Sequence, residues 1–410
     1  MSLTSKILIG MFSGLLLGSF ISFFGLEANQ FIKIYLIDGF LYIGGQVFIS
    51  LLKLMVVPLV FFSLTSGVSS LDQNLSLGRI AGKTLGLYLT TTAIAITIGL
   101  TIAVLFNPGN NLDLETSISL SIPESPNIKD ILLGIIPSNP IKAMADGNML
   151  QIIVFSILFG IAIRSLGDSV KIIKDAVNSI TEIVLKLVMF IINIAPYGVF
   201  CLMSVLFAEK GLTVLGDLSF YFFIVVSALL LHGFLTYSLL LILFVKVNPL
   251  KFFNKIKSLM LFAFSTSSSN ATIPVTLRTV IDNIGVNRKI ASFTVPLGAT
   301  INMDGTAIMQ GVATVFIANA YSIDLLFVDY LMVILTATLA SIGTAGVPGV
   351  GLIMLAMVLN QVGLPVEGIA LIIGVDRLLD MLRTVVNVTG DSTVSTIVAN
   401  SENQLERTNL

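Results

Sequence analysis

The hydrophobic positions of this chain come in long unbroken runs rather than in the alternating faces of a soluble fold. Ile7 to Phe24, Ile94 to Phe106, Ile152 to Ile163 and Phe222 to Val245 are almost entirely apolar. About 20 such residues cross the hydrocarbon core of a bilayer as a helix. Basic residues gather in some of the connections: Arg79 and Lys83; Arg164, Lys171 and Lys174; Lys246, Lys251, Lys255 and Lys257; Arg288 and Lys289. Acidic residues gather in others, with Asp113, Glu115 and Glu124 in one segment and Asp324 and Asp329 in another. By the positive-inside rule the basic connections face the cytoplasm and the acidic ones face outward. That alternation predicts six helices up to about Val245, starting from a cytoplasmic N-terminus. Lys6 ahead of the first run resembles a signal-peptide n-region, but no small-residue cleavage site follows, so the run is expected to stay as the first transmembrane helix. Pro58 and Pro196 are expected to kink the helices that contain them.

Beyond Val245 the rhythm breaks. A short apolar stretch, Leu259 to Phe264, runs into Ser265-Thr266-Ser267-Ser268-Ser269-Asn270 and then Ile273-Pro274, with basic residues on both flanks. Neither half is long enough to span, which predicts a re-entrant hairpin over about 249–283 that enters and leaves on the cytoplasmic side. A flexible serine-rich linker is the plainer alternative. A second unit repeats the plan with acidic flanks, Asp324 and Glu367. It rises to Ser341-Ile342-Gly343-Thr344-Ala345-Gly346-Val347-Pro348-Gly349 and returns to Leu359, predicting an outer hairpin over about 324–360. Irregular backbone at membrane depth is tolerated only where protein or a watery cavity covers it. Each hairpin precedes a helix with an interior polar motif, Asn302-Met303-Asp304-Gly305-Thr306 or Asn387-Val388-Thr389-Gly390-Asp391. Such inverted repeats of broken or polar helices are how secondary transporters place binding sites at the midplane.

Composition sharpens the picture. Of 410 residues 55% are hydrophobic and 11% charged, against about 25% charged in soluble domains, too few to cover a globular surface in water. The single cysteine, Cys201, excludes an intrachain disulfide framework, and with a single histidine, His232, a zinc or redox centre is not expected. His232 reads as a packed or interfacial side chain with no partner evident in the sequence. A net charge of −1 says nothing about partners.

The chemistry concentrates on the last helix. Asp376, Asp380, Arg383, Asn387 and Asp391 follow one another at spacings of 4, 3, 4 and 4, so they share one face. Their stripe is roughly 22 Å long at 1.5 Å per residue. Each intramembrane charge costs at least about 2.5 to 3.5 kcal/mol, so the face must look inward, paired or hydrated. A purely structural ion-pair network is the plainer alternative. Arg383 is the candidate anion-binding residue, because its planar fork takes a carboxylate bidentately. Asp380, one turn before it, is placed to accept a substrate ammonium. Asn302 and Asp304 lie two apart, so Gly305 after them points to local unwinding. Unwound carbonyls with Asp304, Asn387 and Asp391 make a set of hard oxygen ligands for an alkali cation.

These motifs give the chain a resemblance to the dicarboxylate/amino acid:cation symporters, the family of archaeal sodium-aspartate symporters and animal excitatory amino acid transporters. The residues that carry it are Ser268-Ser269-Asn270-Ala271-Thr272-Ile273-Pro274, Gly298 to Thr306, Ser341 to Gly351, and Asp380 to Thr384 with Asn387 to Asp391. The resemblance implies an all-α polytopic membrane protein with eight transmembrane helices, two re-entrant helical hairpins, inverted repeats and an elevator mechanism. It implies a homotrimer in the cell membrane with both termini cytoplasmic. Residues 1–78 and 128–210 would form the scaffold and trimer contacts, 79–127 and 215–401 the transport domain, and 402–410 a cytoplasmic tail. The implied activity is symport of an acidic amino acid, aspartate or glutamate, with sodium; proton coupling or a C4-dicarboxylate substrate is the alternative within the same fold. The implied substrate residues are Ser268, Ser269, Thr306, Gly351, Asp380, Arg383, Thr384 and Asn387. One implied sodium group is Gly298, Asn302, Asn387 and Asp391; a second is Thr300, Met303, Ser341, Ile342 and Thr344; a third is Tyr88, Thr91, Thr92, Asn302 and Asp304. No organic cofactor and no nucleic-acid partner is expected. The glycines and Pro348 of Ser341 to Gly351 mark the outer hairpin tip as the expected extracellular gate.

The chain departs from the family pattern in two places. Archaeal members carry an arginine at the position of Ser267 and animal members one at the position of Met381, and this chain has neither; Arg377, on the same helical face as Met381, is the candidate replacement. Asn270 stands where many relatives have serine, and the absence of an acidic residue there favours sodium over protons. An intramembrane protease is the enzyme alternative, but there is no G-x-S-G, and Thr389-Gly390-Asp391 lacks the first glycine of an aspartyl G-x-G-D signature. An ion channel would need a continuous pore rather than two opposed hairpins.

Overall fold

A computed structural model describes residues 3–69, 75–110, 112, 136–342, 346 and 348–406. Among these residues the regular structure is helical, apart from one antiparallel bridge between Val286 and Leu405. Helix α1 covers Leu3–Phe23, α2 Ile32–Ser69 and α3 Leu75–Phe106. A short α4, Pro140–Asp146, leads into α5, Met149–Leu166, and a turn of 3-10 helix at Gly167–Val170 divides α5 from α6, Lys171–Lys210. Helix α7, Val214–Val245, mixes α and π turns. Shorter elements follow: α8 Pro249–Thr266, α9 Ser269–Arg278 with π turns on to Ile284, α10 Arg288–Ile301, α11 Asp304–Ala320, α12 Phe327–Ser341 and α13 Val350–Gln361. Helix α14 then runs unbroken over Ile369–Ser401. Asp113, Glu115 and Glu124, read as an outward loop, lie outside the described residues.

Local chemistry sets the boundaries. Asn248 caps α8 by accepting from the Leu250 N–H, and Pro249 takes the first turn, where its missing donor costs nothing. Ser268 and Asn287 cap α9 and α10 in the same way. Ser267 turns the chain between α8 and α9 in a left-handed conformation with φ 50°. Pro58 and Pro196 lie inside α2 and α6, which continue past them.

Among the described residues five stretches are long and apolar enough to cross a bilayer: Ser5–Phe23, Ile32–Ser69, Arg79–Phe106, Leu150–Lys210 and Val214–Val245. Their outward faces keep large apolar side chains exposed, Phe12, Leu16 and Phe20 on α1 and Phe223, Leu230 and Phe234 on α7 among them. In water such faces would aggregate; in hydrocarbon they are the solvated side. Helix α14 is long enough to span as well, but it carries the charged stripe and is buried on most of its length.

Two packing groups emerge. In the first, α1 and α2 lie along α6, and α5 lies along α2. Gly10, Gly14 and Gly18 bring α1 so close to α6 that a Cβ at any of them would fall within about 2.5 Å of the carbonyls of Pro196, Phe200 and Ser204. Small residues four apart are the usual means of close approach where water supplies no hydrophobic drive between helices. In the second group α3 packs on α11, and α8, α10 and α11 surround α14. Helix α8 folds back on α9, and α12 on α13, so both segments read as hairpins are helix pairs.

The end of the chain ties the second group together. Asn287 N–H donates to the Gln404 carbonyl at 3.0 Å and Glu406 N–H to the Gly285 carbonyl at 2.9 Å. Glu402 receives the Arg79 guanidinium and, at 2.6 Å, Lys83 Nζ, so α3 is clasped to the end of α14. Hydrogen bonds from Arg79 and Lys83 hold the Glu402 carboxyl at about 2, below its ordinary 4.5. A depressed folded value means that the clasp is fully formed above pH 4.5 and is lost as pH falls through about 2. A spin label on Gln404→Cys should therefore stay immobile from neutral pH to 4.5 and loosen only in strong acid, whereas Glu402→Gln should mobilise it at pH 7. A label equally mobile with and without Glu402 at pH 7 would contradict this.

Candidate functional site

The charged stripe on α14 faces the core of the second group. Arg383 is 1% exposed, and its Nη2 donates to Asp380 Oδ1 at 2.7 Å. Its Nη1 lies 3.0 Å from Asp376 Oδ1, close enough for an ion pair but without hydrogen-bond geometry. Nε has no acceptor either. The second oxygen of Asp380 takes Arg377 Nη1 at 3.3 Å and the Gly349 N–H at 3.4 Å. Arg377 thus pairs with the same carboxylate as Arg383. A Cβ on Gly351 would sit 3.1 Å from Arg383 Nη1, so glycine there lets the α13 backbone abut the guanidinium.

The two hairpin tips meet beside this group. Ser268 Oγ accepts from the Ala271 N–H and donates to the Gly346 carbonyl at 2.6 Å, and the Asn270 N–H reaches the same carbonyl at 3.2 Å. Gly346 is also pressed against the Ala299 carbonyl, where a Cβ would come within 2.6 Å. Gly343, Thr344, Ala345 and Val347 of the tip lie outside the described residues. Ser269 and Thr306 are buried, at the N-terminal turns of α9 and α11, where the helix dipole favours an anion. Thr384 Oγ1 donates back to the Asp380 carbonyl.

One turn further along α14 the chain is organised around a break. Helix α10 stops at Ile301 and α11 starts at Asp304, with Asn302 (φ −86°, ψ 93°) and Met303 (φ −117°, ψ 43°) unwound between them. This is the unwinding that the Asn302–Asp304 spacing predicts. Asn302 Nδ2 donates to the Asn387 carbonyl and to Asp391 Oδ1, both at 2.9 Å. Asn387 Oδ1 accepts from the Gly305 N–H at 2.8 Å, and its Nδ2 points to Met303 Sδ at 3.5 Å. A Cβ on Gly298 would land 2.3 Å from Asp391 Oδ1 and 2.5 Å from the Tyr88 hydroxyl. Gly298, Asn302, Asn387 and Asp391 are therefore gathered, and the buried Asn302 Oδ1 has no donor. An unsatisfied carbonyl-type oxygen beside a carboxylate is a donor set suited to a hard cation. In the second expected group, Thr300 Oγ1 donates to Leu297 and Ser341 Oγ to Thr338, each within its own helix. Met303 and Ile342 are buried, and Thr344 lies outside the described residues.

The third group holds a feature that sequence reasoning missed. Thr92 Oγ1 donates to Asp304 Oδ1 at 2.6 Å, while Tyr88 donates to the Thr294 carbonyl and Thr91 to the Tyr88 carbonyl. Asp304 Oδ2, however, takes the Tyr237 hydroxyl at 2.7 Å and lies 3.1 Å from His232 Nε2. His232 is fully buried against Tyr237, with ring centroids 4.8 Å apart. His232 is packed, as the sequence led us to expect, and the partner that the sequence did not reveal is Asp304. The sequence signal is weak, since residues five apart face about 140° apart on a regular α-helix. The π turns at Leu231–Thr236 bring them to one side, and π turns are frequent at functional sites.

A profile of the sodium:dicarboxylate symporter family matches residues 3–401. This chain belongs to the sodium:dicarboxylate symporter family. It is similar to the proton/glutamate-aspartate symporter of Escherichia coli, 33% identical over 99% of this chain and 94% of that one. It is 34% identical to excitatory amino acid transporter 2 of Mus musculus over 85% of this chain and 71% of that protein. A C4-dicarboxylate transport protein of Rhodospirillum rubrum is 32% identical over 99% and 89%. The family consists of membrane transporters, not enzymes, and the buried ionic groups of α14 sit in such a frame.

Removing one donor from Asp304 tests the newly found contact. Tyr237→Phe and His232→Ala should each lower stability by about 1 to 3 kcal/mol, the cost of leaving a buried acceptor short of a partner. Because both donors serve one oxygen, the double variant should depart from additivity by roughly 0.5 kcal/mol or more in thermal unfolding. Strictly additive losses would mean that the two side chains act separately.

Proposed function

We propose that this symporter takes up an acidic amino acid, aspartate or glutamate, together with sodium. The observation that carries the reading is Arg383: it is fully buried, gives only Nη2 to a hydrogen bond, and keeps Nε and Nη1 without hydrogen-bond acceptors. A side-chain carboxylate would accept a charge-assisted hydrogen bond from either of them. Asp380 beside it favours a substrate that also bears an ammonium, which a C4-dicarboxylate lacks. Ser268, Ser269, Thr306, Gly351, Thr384 and Asn387 complete the proposed substrate site. For the cations, Asn302 Oδ1 and Asp391 next to the Gly298 backbone support a sodium position. The second position, at Thr300, Met303, Ser341, Ile342 and Thr344, and the third, at Tyr88, Thr91, Thr92, Asn302 and Asp304, are proposed on the resemblance. Arg377 serves as the second arginine by sharing Asp380.

The proposed mechanism is an elevator. Residues 79–127 and 215–401, with both hairpins re-entrant, move as the transport domain against a trimeric scaffold of 1–78 and 128–210, and the tip around Ser341 to Gly351 is the outer gate. The dense packing of α1 and α2 on α6 and of α5 on α2, set beside that of α8, α10 and α11 on α14, supports this division, with α13 and α14 also touching α2 and α6 where the two groups meet. The proposed setting is the plasma membrane, with N-terminus and tail 402–410 in the cytoplasm.

The test is radiolabelled uptake into proteoliposomes, with sodium and proton gradients imposed separately and aspartate, glutamate, succinate and fumarate as competitors. Sodium-driven aspartate or glutamate uptake is expected. Uptake driven only by protons, or competed best by succinate, moves the assignment to the alternative within the family. Arg383→Cys should abolish acidic uptake, since breaking a desolvated charge pair costs about 2 to 5 kcal/mol; near-normal aspartate affinity in that variant would remove Arg383 from the substrate site. Asp391→Asn should raise, about tenfold or more, the sodium concentration for half-maximal substrate binding. An unchanged sodium dependence in folded protein would place the cation elsewhere.

A further inference from the structure

Behind the stripe, on the opposite side of α14, lies a cavity of about 200 Å³ between α7, α8 and α14. Its floor is formed by Leu382, Val386 and Thr389, its sides by Gly233 and Phe253, and Phe234 stands at the mouth. Thr389 donates its hydroxyl to the Val385 carbonyl at 2.7 Å and the other side chains of the wall are apolar, too few polar partners to hold a water. An engineered apolar cavity of roughly 150 Å³ stays dry and takes up benzene. The wall atoms of an unfilled void forfeit their dispersion contacts on that side.

The position of the mouth identifies what fills it. Leu230 and Phe234 are half-exposed, and no Asp, Glu, Lys or Arg occurs on α7 between Asp217 and Lys246. Gly233 lies near the middle of that stretch, about 20 Å along the helix from Lys246. The hydrocarbon of one leaflet is about 15 Å deep, so the opening faces the ends of lipid chains and is out of reach of headgroups and water. We propose that this cavity binds the terminal part of a lipid acyl chain that enters sideways from the bilayer. Glycine at 233 keeps the entrance open: a Cβ there would meet only Val386 Cγ2, at an ordinary 3.6 Å, and a longer side chain would extend into the void. The bound chain touches Leu382 and Val386, which alternate along α14 with Arg383 and Asn387. The Val386 carbonyl also accepts the Tyr237 hydroxyl at 3.3 Å, the same hydroxyl that holds Asp304.

The chain contains no tryptophan, so a single Phe253→Trp reports on the cavity wall without background. In vesicles of phosphatidylcholine brominated near the chain ends, its fluorescence should fall at least twofold relative to unbrominated lipid. Adding Gly233→Leu, which fills the cavity, should remove most of that quenching. A tryptophan at Phe223, on the open lipid-facing side of α7, should be quenched equally with and without Gly233→Leu. Native mass spectrometry gives the answer without a tryptophan: Gly233→Leu should retain one lipid fewer per chain than the unaltered protein. Absence of quenching at position 253, or quenching and lipid retention both indifferent to Gly233→Leu, overturns the proposal. None of these readings requires transport, so their failure leaves the proposed substrate and ion untouched.

Discussion

The cost of holding charge in an apolar interior organises this molecule. Arg383 has no water to solvate it, so its charge must be balanced by Asp376 and Asp380 on the same helix. Those carboxylates are buried in their turn and bring in Arg377 and the Gly349 N–H. Replacing such a cluster with apolar side chains is often neutral or stabilising. Stability alone therefore gives no reason to keep it, and a guanidinium whose Nε lies outside both pairs can still take another anion.

The same constraint explains why the helices around the stripe are interrupted. A regular helix uses nearly all its backbone polar groups internally and leaves none for a ligand. The break at Asn302–Met303 frees backbone at the depth where Asp391 and Asp304 are buried. The hairpin tips do likewise, and they are sealed by Ser268 and Asn270 on the Gly346 carbonyl. Irregular backbone survives at the break because protein buries Asn302 and Met303.

Much of this was legible in the sequence, for identifiable reasons. The stripe of α14 was readable because the helix is unbroken, so spacings of 4, 3, 4 and 4 translate directly into one face. The break before Asp304 was readable because two polar groups two residues apart cannot share a side of a helix. The helical class followed from runs too apolar for any other structure at that depth. The His232–Tyr237–Asp304 contact was not legible. It joins residues 67 and 72 apart in sequence and depends on π turns that change the angular register of α7. Nor was the close seat of α1 on α6 predicted, because three glycines at a spacing of four in an apolar run acquire meaning only opposite the carbonyls they approach. Both cases are tertiary: the residue types were visible, their partners were not.

Asn387 is where the two halves of the proposed site become one. Its amide oxygen holds the Gly305 N–H, its carbonyl holds Asn302, and its Nδ2 points to Met303. Arg383 stands one turn before it and Asp391 one turn after. A ligand can shift an equilibrium only through contacts that differ between the two states. A cation drawing on Asn302 Oδ1 and Asp391 would fix the break against Asn387, and Asn387 in turn sets the floor beside Arg383. Whatever free energy the cation contributed to an ordered Asn387, the substrate would find already in place, and by reciprocity the substrate would strengthen the cation site by the same factor. Coupling of this kind needs no long pathway. It would follow from an anion site at Arg383 and a cation site at Asp391, one turn to either side of a single amide whose polar groups hold the break.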